Sequence, residues 1–201
     1  MANVDAPFGL RPVRHKNGNP FNGAMSRYAI TNDSLTYGIF VGDAVVKHAD
    51  GATAAGIPLV TEVTVGDANL ITGIVVGFEP DPDNLSLNYR ATGTTTTERI
   101  VYVVDDPDVV FEIQDDGAAL LDLTDIVGLN AVLIRNVAGA SNGYRSGLCL
   151  DTNSDVPAAD ASNQLLVLGP SKKIGNTVGE VNCVWEVLVN MHSLRTPALG
   201  V

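Results

Sequence analysis

The sequence predicts an all-β fold, a small β-barrel or sandwich with an extended N-terminal arm and very little helix. Many short runs of β-branched and aromatic residues are spaced along the chain, as is typical of strands. The 20 Gly and 10 Pro fall largely between these runs, where they favour turns. Apolar residues make up 45% and charged residues 17% of the 201 residues, which is enough apolar surface for a substantial core.

The clearest candidate strands alternate between apolar and polar residues. In the run "VVFEIQ", Phe111 and Ile113 alternate with Glu112 and Gln114, a pattern typical of a strand. The last run carries apolar residues at both alternating sets of positions around Trp185, so we expect it to be covered on both faces. The candidate strands are "YAI", "GIFVGDAVVK", "ITGIVVGFEP", "RIVYVV", "VVFEIQ", "AVLIRNV", "SGLCLD", "QLLVLG" and "CVWEVLVNMH".

Helix is scarce in this sequence. The best candidate is the short run "LTDIVG", with Thr124 as the cap of its first turn and Gly128 as its end. The chain therefore divides into an N-terminal arm, residues 1–27, and a single β domain, residues 28–201.

The N-terminal arm is rich in proline, glycine and asparagine, and proline disfavours helix and cannot donate a ladder hydrogen bond. We therefore expect an extended segment. It nevertheless keeps large apolar side chains, so we interpret it as lying against a surface, of its own domain or of a neighbouring subunit.

Charge is distributed unevenly. The chain carries a formal net charge of −11, which argues against a broad nucleic-acid interface and against docking on an anionic membrane. The N-terminal arm is basic, whereas the segment between Glu79 and Asp116 is strongly acidic. We expect the acidic loops to receive a basic partner, including the arm of another subunit, and a variant lacking residues 1–27 to lose binding yet keep a folded body.

Two sets of residues carry this hypothesis. The partner-binding residues of the arm are Pro7, Phe8, Leu10, Arg11, Arg14, Lys16 and Phe21. The acidic interface loops contain Asp81, Asp83, Asp105, Asp106 and Asp108, which we interpret as one acidic region.

No catalytic, cofactor or metal site is predicted. The three histidines lack a short metal-ligand spacing, and no phosphate-binding loop, dinucleotide fingerprint or nucleophile elbow is found. A pair of Cys183 with His192 is conceivable, but we expect Cys149 and Cys183 to be buried and reduced. The acidic loops offer oxygen ligands for Ca²⁺, but they lack the EF-hand spacing, and we interpret the aspartates as turn residues at strand ends.

The N-terminus lacks an apolar secretion signal, and no apolar run reaches the roughly 18 residues of a membrane span. We therefore expect a protein that is assembled in a reducing cytoplasm.

Several stretches resemble a family of small head structural proteins of tailed bacteriophages. They are "MANVDAPFGLRPVRHKNGNPFNGA", "VGDAVV", "GIVVGFEPDPDNL…YR", "ERIVYVVDDPDVVFEIQDDG" and "DIVGLNA". The similarity is strongest from residue 1 to about residue 147 and looser between Asp151 and Asn163. These motifs are family signatures and contain no catalytic residues to carry over.

The resemblance implies a capsid decoration protein, also called a cement protein, on the surface of the virion. The implied partners are the major capsid protein and further copies of this chain, as a dimer or trimer. Two alternatives stay open: another virion component, such as a head–tail connector or tail protein, and a Ca²⁺-dependent carbohydrate-binding module that uses Asp81, Asp83, Asp105 and Asp108.

Overall fold

The computed structural model describes residues 3–95, 97–117, 122–139 and 141–195. The described part of the chain is almost entirely β, as predicted, and contains a closed five-stranded barrel and a five-stranded antiparallel sheet. Two further sheets have two strands each.

The strands are short and are separated by glycine-containing turns, which agrees with the composition. In chain order they are β1 Arg11–His15, β2 Ser26–Ile30, β3 Ile39–Phe40, β4 Ala44–Ala52, β5 Pro58–Glu62, β6 Gly73–Phe78, β7 Tyr89–Arg90, β8 Arg99–Val104, β9 Val109–Gln114, β10 Asn130–Ala131, β11 Leu133–Arg135, β12 Leu148–Leu150, β13 Leu165–Pro170 and β14 Val184–Val189. The helix, α1, is Leu123–Ile126, so Thr124 lies inside it and is not its cap.

The barrel has the strand order β2-β5-β4-β6-β8, and the antiparallel pairing of β2 with β8 closes it. Strands β2 and β5 are parallel, and the other neighbours are antiparallel. Inward-facing residues of alternating positions, among them Ile30, Val45, Val75 and Val101, fill the interior and are fully buried. The barrel is therefore a packed core.

The second sheet has the order β1-β9-β14-β13-β10, and its inner face packs on the outside of the barrel. Phe111, Trp185 and Val187 of the sheet share one buried cluster with Ile74 and Val104 of the barrel strands. Of the residues that alternate with these, Leu188 and Asn190 are also buried, and Glu186 is half-buried under Arg14. The expectation that the last strand is covered on both faces is confirmed.

The N-terminal arm is extended, but it belongs to the chain's own sheet. Strand β1 pairs with β9, with Arg11 opposite Glu112 and Pro12 opposite Phe111. Proline is tolerated there because β1 is an edge strand, and the register shifts between Pro12 and Arg14. Since Leu10 lies in the central core, the expectation that residues 1–27 can be deleted from a folded body is corrected.

Candidate functional site

A groove of about 560 Å³ runs between the N-terminal arm and the barrel; we call it the arm groove. Leu10 forms its buried floor beside the outward-facing Val76, and Phe8 and Phe21 of the arm line one side. The further lining residues are Arg11, Pro12, Val41, Gly42, Val75, Asn88, Tyr144 and Arg145. The lining is therefore mainly apolar, with polar and aromatic groups around the edge.

The arm reaches the barrel through an unusually close backbone approach. The Leu10 amide donates a hydrogen bond of 2.9 Å to the Gly42 carbonyl oxygen. Gly9 and Gly42 both have positive φ values, of 70° and 95°. A Cβ on Gly42 would lie 2.3 Å from the Phe8 carbonyl oxygen, so only glycine fits at this crossing.

Tyr144 and Arg145 form the outer rim of the arm groove, and both are exposed. Tyr144 has a φ of 60°, which is uncommon for a residue other than glycine. Its ring stacks on Tyr89 at 4.6 Å between centroids, and Tyr89 stacks on Phe40 at 5.5 Å. The aromatic stack holds Tyr144 in place although about half of its surface faces solvent.

Hydrogen bonds tie this rim to both the arm and the barrel. The Asn142 side-chain amide donates to the Pro7 carbonyl at 2.7 Å and to the Ser146 carbonyl at 2.9 Å. The Ser146 hydroxyl donates to Asp43 at 2.6 Å, and Arg135 lies 3.4 Å from the same carboxylate. Burial raises the pKa of Asp43, which the neighbouring Arg135 and Ser146 partly offset. The loop that carries Tyr144 is therefore held in place by hydrogen bonds to the arm and to the barrel.

The arm groove carries a positive charge on an acidic molecule. Arg11 stacks over the Phe8 ring at 4.5 Å and pairs with Glu112 at 2.8 Å. Arg145 has neither a hydrogen bond nor an ion pair with any other residue that the structure describes. No carboxylate belongs to the described residues that line the groove. An uncompensated guanidinium therefore stands beside an apolar floor.

The structure separates the seven predicted arm residues. Phe8, Arg11 and Phe21 line the arm groove, whereas Pro7 is buried. Leu10 forms the floor of the groove but is 1% exposed, and its side chain packs in the chain's own core. The prediction that Pro7 and Leu10 bind a partner directly is therefore corrected.

The other two basic arm residues contact the same chain in different ways. Arg14 pairs with Glu186 at 2.7 Å, whereas the Lys16 backbone amide donates to the Asp108 backbone carbonyl at 2.7 Å and its exposed side chain has no ion pair among the described residues. The pairing of a basic arm with acidic residues thus occurs within one chain. Its carboxylates, Glu112 and Glu186, lie on strands and were not among the predicted loop residues.

The two acidic loops do not form one acidic region, which corrects the sequence interpretation. Asp81 pairs with Arg99, the first residue of β8, at 2.8 Å, whereas Asp105 directly follows Val104, the last residue of β8. Six residues of strand span about 20 Å at about 3.3 Å per residue. Because the loops lie at opposite ends of β8, they cannot share one cation.

The individual aspartates have local partners. Asp81 accepts the Asp83 amide at 2.9 Å, and Asp106 accepts the Asp108 amide at 2.9 Å. Asp105 accepts hydroxyl hydrogen bonds from Ser26 and Tyr28, and burial with this bond raises the Tyr28 pKa to about 12. The interpretation of Asp81 and Asp106 as turn residues at strand ends is confirmed.

A group of metal-type ligands occurs at a place that sequence spacing did not indicate. Ligand atoms of Asp33, His48 and Asp50 lie within 4.8 Å of one another on an open surface. The His48 Nε2 faces Asp33 at 3.2 Å, whereas its Nδ1 faces Asp50 and accepts the Asp50 amide. Each ring nitrogen thus has a different partner, as in a hydrogen-bonded surface histidine.

Both cysteines are free and buried, as expected. Burial raises the pKa of Cys149 to about 12 and that of Cys183 to about 11, so both stay protonated at neutral pH. Cys183 precedes β14 and His192 follows it, so the length of the strand separates them. The conceivable Cys183–His192 pair is therefore not formed.

No helix in the described residues has the length and apolar character needed to cross a membrane. Comparison with models of known protein families, with curated proteins and with solved structures finds no match to this chain.

Proposed function

We propose that this chain is a non-catalytic virion structural protein that binds the outside of a tailed-bacteriophage capsid shell and cements neighbouring major capsid protein subunits. The sequence stretches that resemble phage head proteins supply the biological setting. The structural observation that carries the proposal is the arm groove, an apolar cleft with Tyr144 and Arg145 at its rim.

The composition of the arm groove suits protein binding. Tyrosine and arginine are enriched among the residues that contribute most to binding at protein interfaces, since both offer a large contact surface with a polar end. Tyr144 is held by stacking, so little conformational freedom is lost when a partner covers it. The groove thus combines an apolar floor with a pre-positioned polar rim.

Binding of this kind stabilises a shell by mass action. A protein that binds the assembled shell and not its separated subunits raises the free energy needed to disassemble the shell. Many copies act together on one particle, so each contact can be individually weak. Catalysis is not required for this role.

The test uses purified expanded shells that lack the protein. We expect the wild-type chain to bind these shells, and Tyr144→Ala to weaken binding about tenfold because it removes the rim aromatic. Tyr37→Ala is the matched control, since Tyr37 is 51% and Tyr144 48% exposed and Tyr37 lies outside the arm groove. Co-sedimentation with shells over a range of protein concentrations gives the apparent Kd.

Absence of wild-type binding would overturn the proposed function. Equal binding by the wild type and Tyr144→Ala would show that the arm groove does not contribute to shell binding. Circular dichroism and a melting curve of each variant establish that the fold is retained.

A further inference from the structure

A loop with two aspartates lies next to the arm groove, which the following residue, Asn88, lines; we call residues 81–87 the knob. Two consecutive turns shape it: the Asn84 amide donates to the Asp81 carbonyl at 3.2 Å, and the Leu87 amide to the Asn84 carbonyl at 2.9 Å. Leu85 stands at the tip of the second turn and is 79% exposed. A large apolar side chain is thus presented to solvent on a short, hydrogen-bonded loop.

The knob is anchored to the barrel and has little freedom to lose on binding. Arg99 pairs with Asp81 at 2.8 Å and donates to the Leu87 carbonyl at 2.6 Å, so it holds both ends of the knob. Pro82 restricts the backbone between them. A pre-formed loop of this kind binds with a smaller entropic cost than a flexible one.

The charges and polarity of the knob complement those of the arm groove. The Asp83 carboxylate has no ion-pair partner among the residues that the structure describes, and it precedes Leu85 by two residues. The arm groove offers the opposite features: an apolar floor at Leu10 and Val76, and the unpaired Arg145 at its rim. An apolar tip beside a carboxylate therefore matches an apolar cleft beside a guanidinium.

We propose that the occupant of the arm groove is the knob of a second copy of this chain. Leu85 enters the apolar cleft against Phe8 and Phe21, and Asp83 pairs with Arg145. Asn88 lines the groove and directly follows the knob, so knob and groove are neighbours on one face. Two copies related by a twofold axis then exchange knobs reciprocally, which closes a dimer with two identical contacts.

The dimer contact identifies the partner that fills the arm groove. Dimer formation is independent of the proposed function, and only the role of the dimer on a shell rests on that function. Copies linked in pairs bind a shell with greater avidity than single copies. The capsid protein is then bound by another face, and loss of the arm groove lowers shell occupancy because single copies bind with less avidity. Self-association itself requires no shell.

The test is analytical ultracentrifugation of the full chain, without shells, up to millimolar concentration. We expect a monomer–dimer equilibrium whose Kd rises at least tenfold in Leu85→Ser and in Arg145→Glu. Ile174→Ser is the matched control for an exposed aliphatic residue outside the groove, because Ile174 is 106% exposed. We expect it to leave the Kd unchanged.

Charge reversal distinguishes the proposed pairing from a general loss of affinity. Asp83→Arg alone weakens the dimer, and its combination with Arg145→Glu restores affinity to within a few-fold of the wild type, because the two opposite charges are exchanged. A wild-type monomer at all concentrations overturns the inference, and so does a dimer that is insensitive to Leu85→Ser and Arg145→Glu. A monomer that still binds shells refutes the knob contact alone; a dimer that does not bind shells refutes the shell role alone.

Discussion

Glu112 is the residue at which the N-terminal arm is fastened to the sheet. Its carboxylate is buried on β9, pairs with Arg11 and Lys173, and accepts a hydrogen bond of 2.6 Å from the Ser171 hydroxyl. Burial raises the pKa of Glu112, but the bonds to Lys173, Ser171 and Arg11 outweigh it, so the pKa is lowered overall. The ionised form is the one that stabilises the fold.

A lowered pKa makes this contribution dependent on pH. It is fully present above the ordinary glutamate pKa and is lost as the pH falls through the lower pKa of the folded state. We expect Glu112→Gln to reduce the free energy of unfolding by about 1–2 kcal/mol at pH 7, a modest value because Arg11 and Lys173 are half exposed. Urea unfolding at successive pH values measures the difference, which should shrink in acid.

Glu98→Gln is the control for Glu112→Gln, since Glu98 is exposed. We expect Glu98→Gln to leave the free energy of unfolding nearly unchanged at every pH. A constant difference between the wild type and Glu112→Gln from neutral to acid pH would contradict the assigned role of this carboxylate.

Gly42 is the second residue on which the arm depends. Gly42→Ala carries two penalties: the positive φ is unfavourable for alanine, and the new Cβ clashes with the Phe8 carbonyl oxygen. Gly51→Ala carries only the penalty of the positive φ. We expect Gly51→Ala to cost about 1 kcal/mol and Gly42→Ala at least about 2 kcal/mol more. Thermal and urea unfolding give both values, and equal losses would show that the arm crossing is not rigid.

At the level of elements, the strands that propensity alone specifies were predictable. "RIVYVV" and "VVFEIQ" are β8 and β9 with the predicted ends, because β-branched and aromatic residues run without interruption between turn signals. Two strands that begin with or contain proline were not predicted. Pro12 lies on an edge strand and Pro58 is the first residue of β5, the two places where a strand tolerates proline.

The run "GIFVGDAVVK" illustrates a second limit, because it divides into β3 and β4. Gly42, with its positive φ, and Asp43 break the strand, and β3 pairs outside the barrel with β7. Strand pairings depend on residues far apart in the chain, so the parallel contact of β2 with β5 leaves no local signal. Local pattern therefore indicates strands but not sheets.

The candidate site was predictable in part for the same reason. Large apolar residues in a proline-rich arm indicate a surface contact, and Phe8, Arg11 and Phe21 do line the arm groove. Tyr144 and Arg145 lie in a loop that reads as polar and turn-rich. They reach the groove because long-range hydrogen bonds, such as that from Asn142 to Pro7, hold their loop there. In the sequence, the adjacent "GYR" is only a weak signal for an exposed aromatic–arginine pair.

At the level of the whole molecule, the basic arm does not remain free to grip a neighbour. Its arginines Arg11 and Arg14 are engaged by Glu112 and Glu186 of the same chain. The net charge is −11, and Arg145 is the cation at the arm groove that has no ion pair with any described residue, as is also true of Lys16, Lys47 and Lys172 elsewhere. A partner that presents a carboxylate beside an apolar group pairs with Arg145, whereas other acidic surfaces are repelled by the net negative charge of the molecule.

The proposed decoration of a capsid shell is tested most directly by the number of copies of this chain on purified particles of the bacteriophage that the proposal implies. Quantitative mass spectrometry gives this number relative to the major capsid protein. We expect a fixed ratio that corresponds to hundreds of copies over the shell. About a dozen copies, as in a ring at one vertex, or none would contradict it.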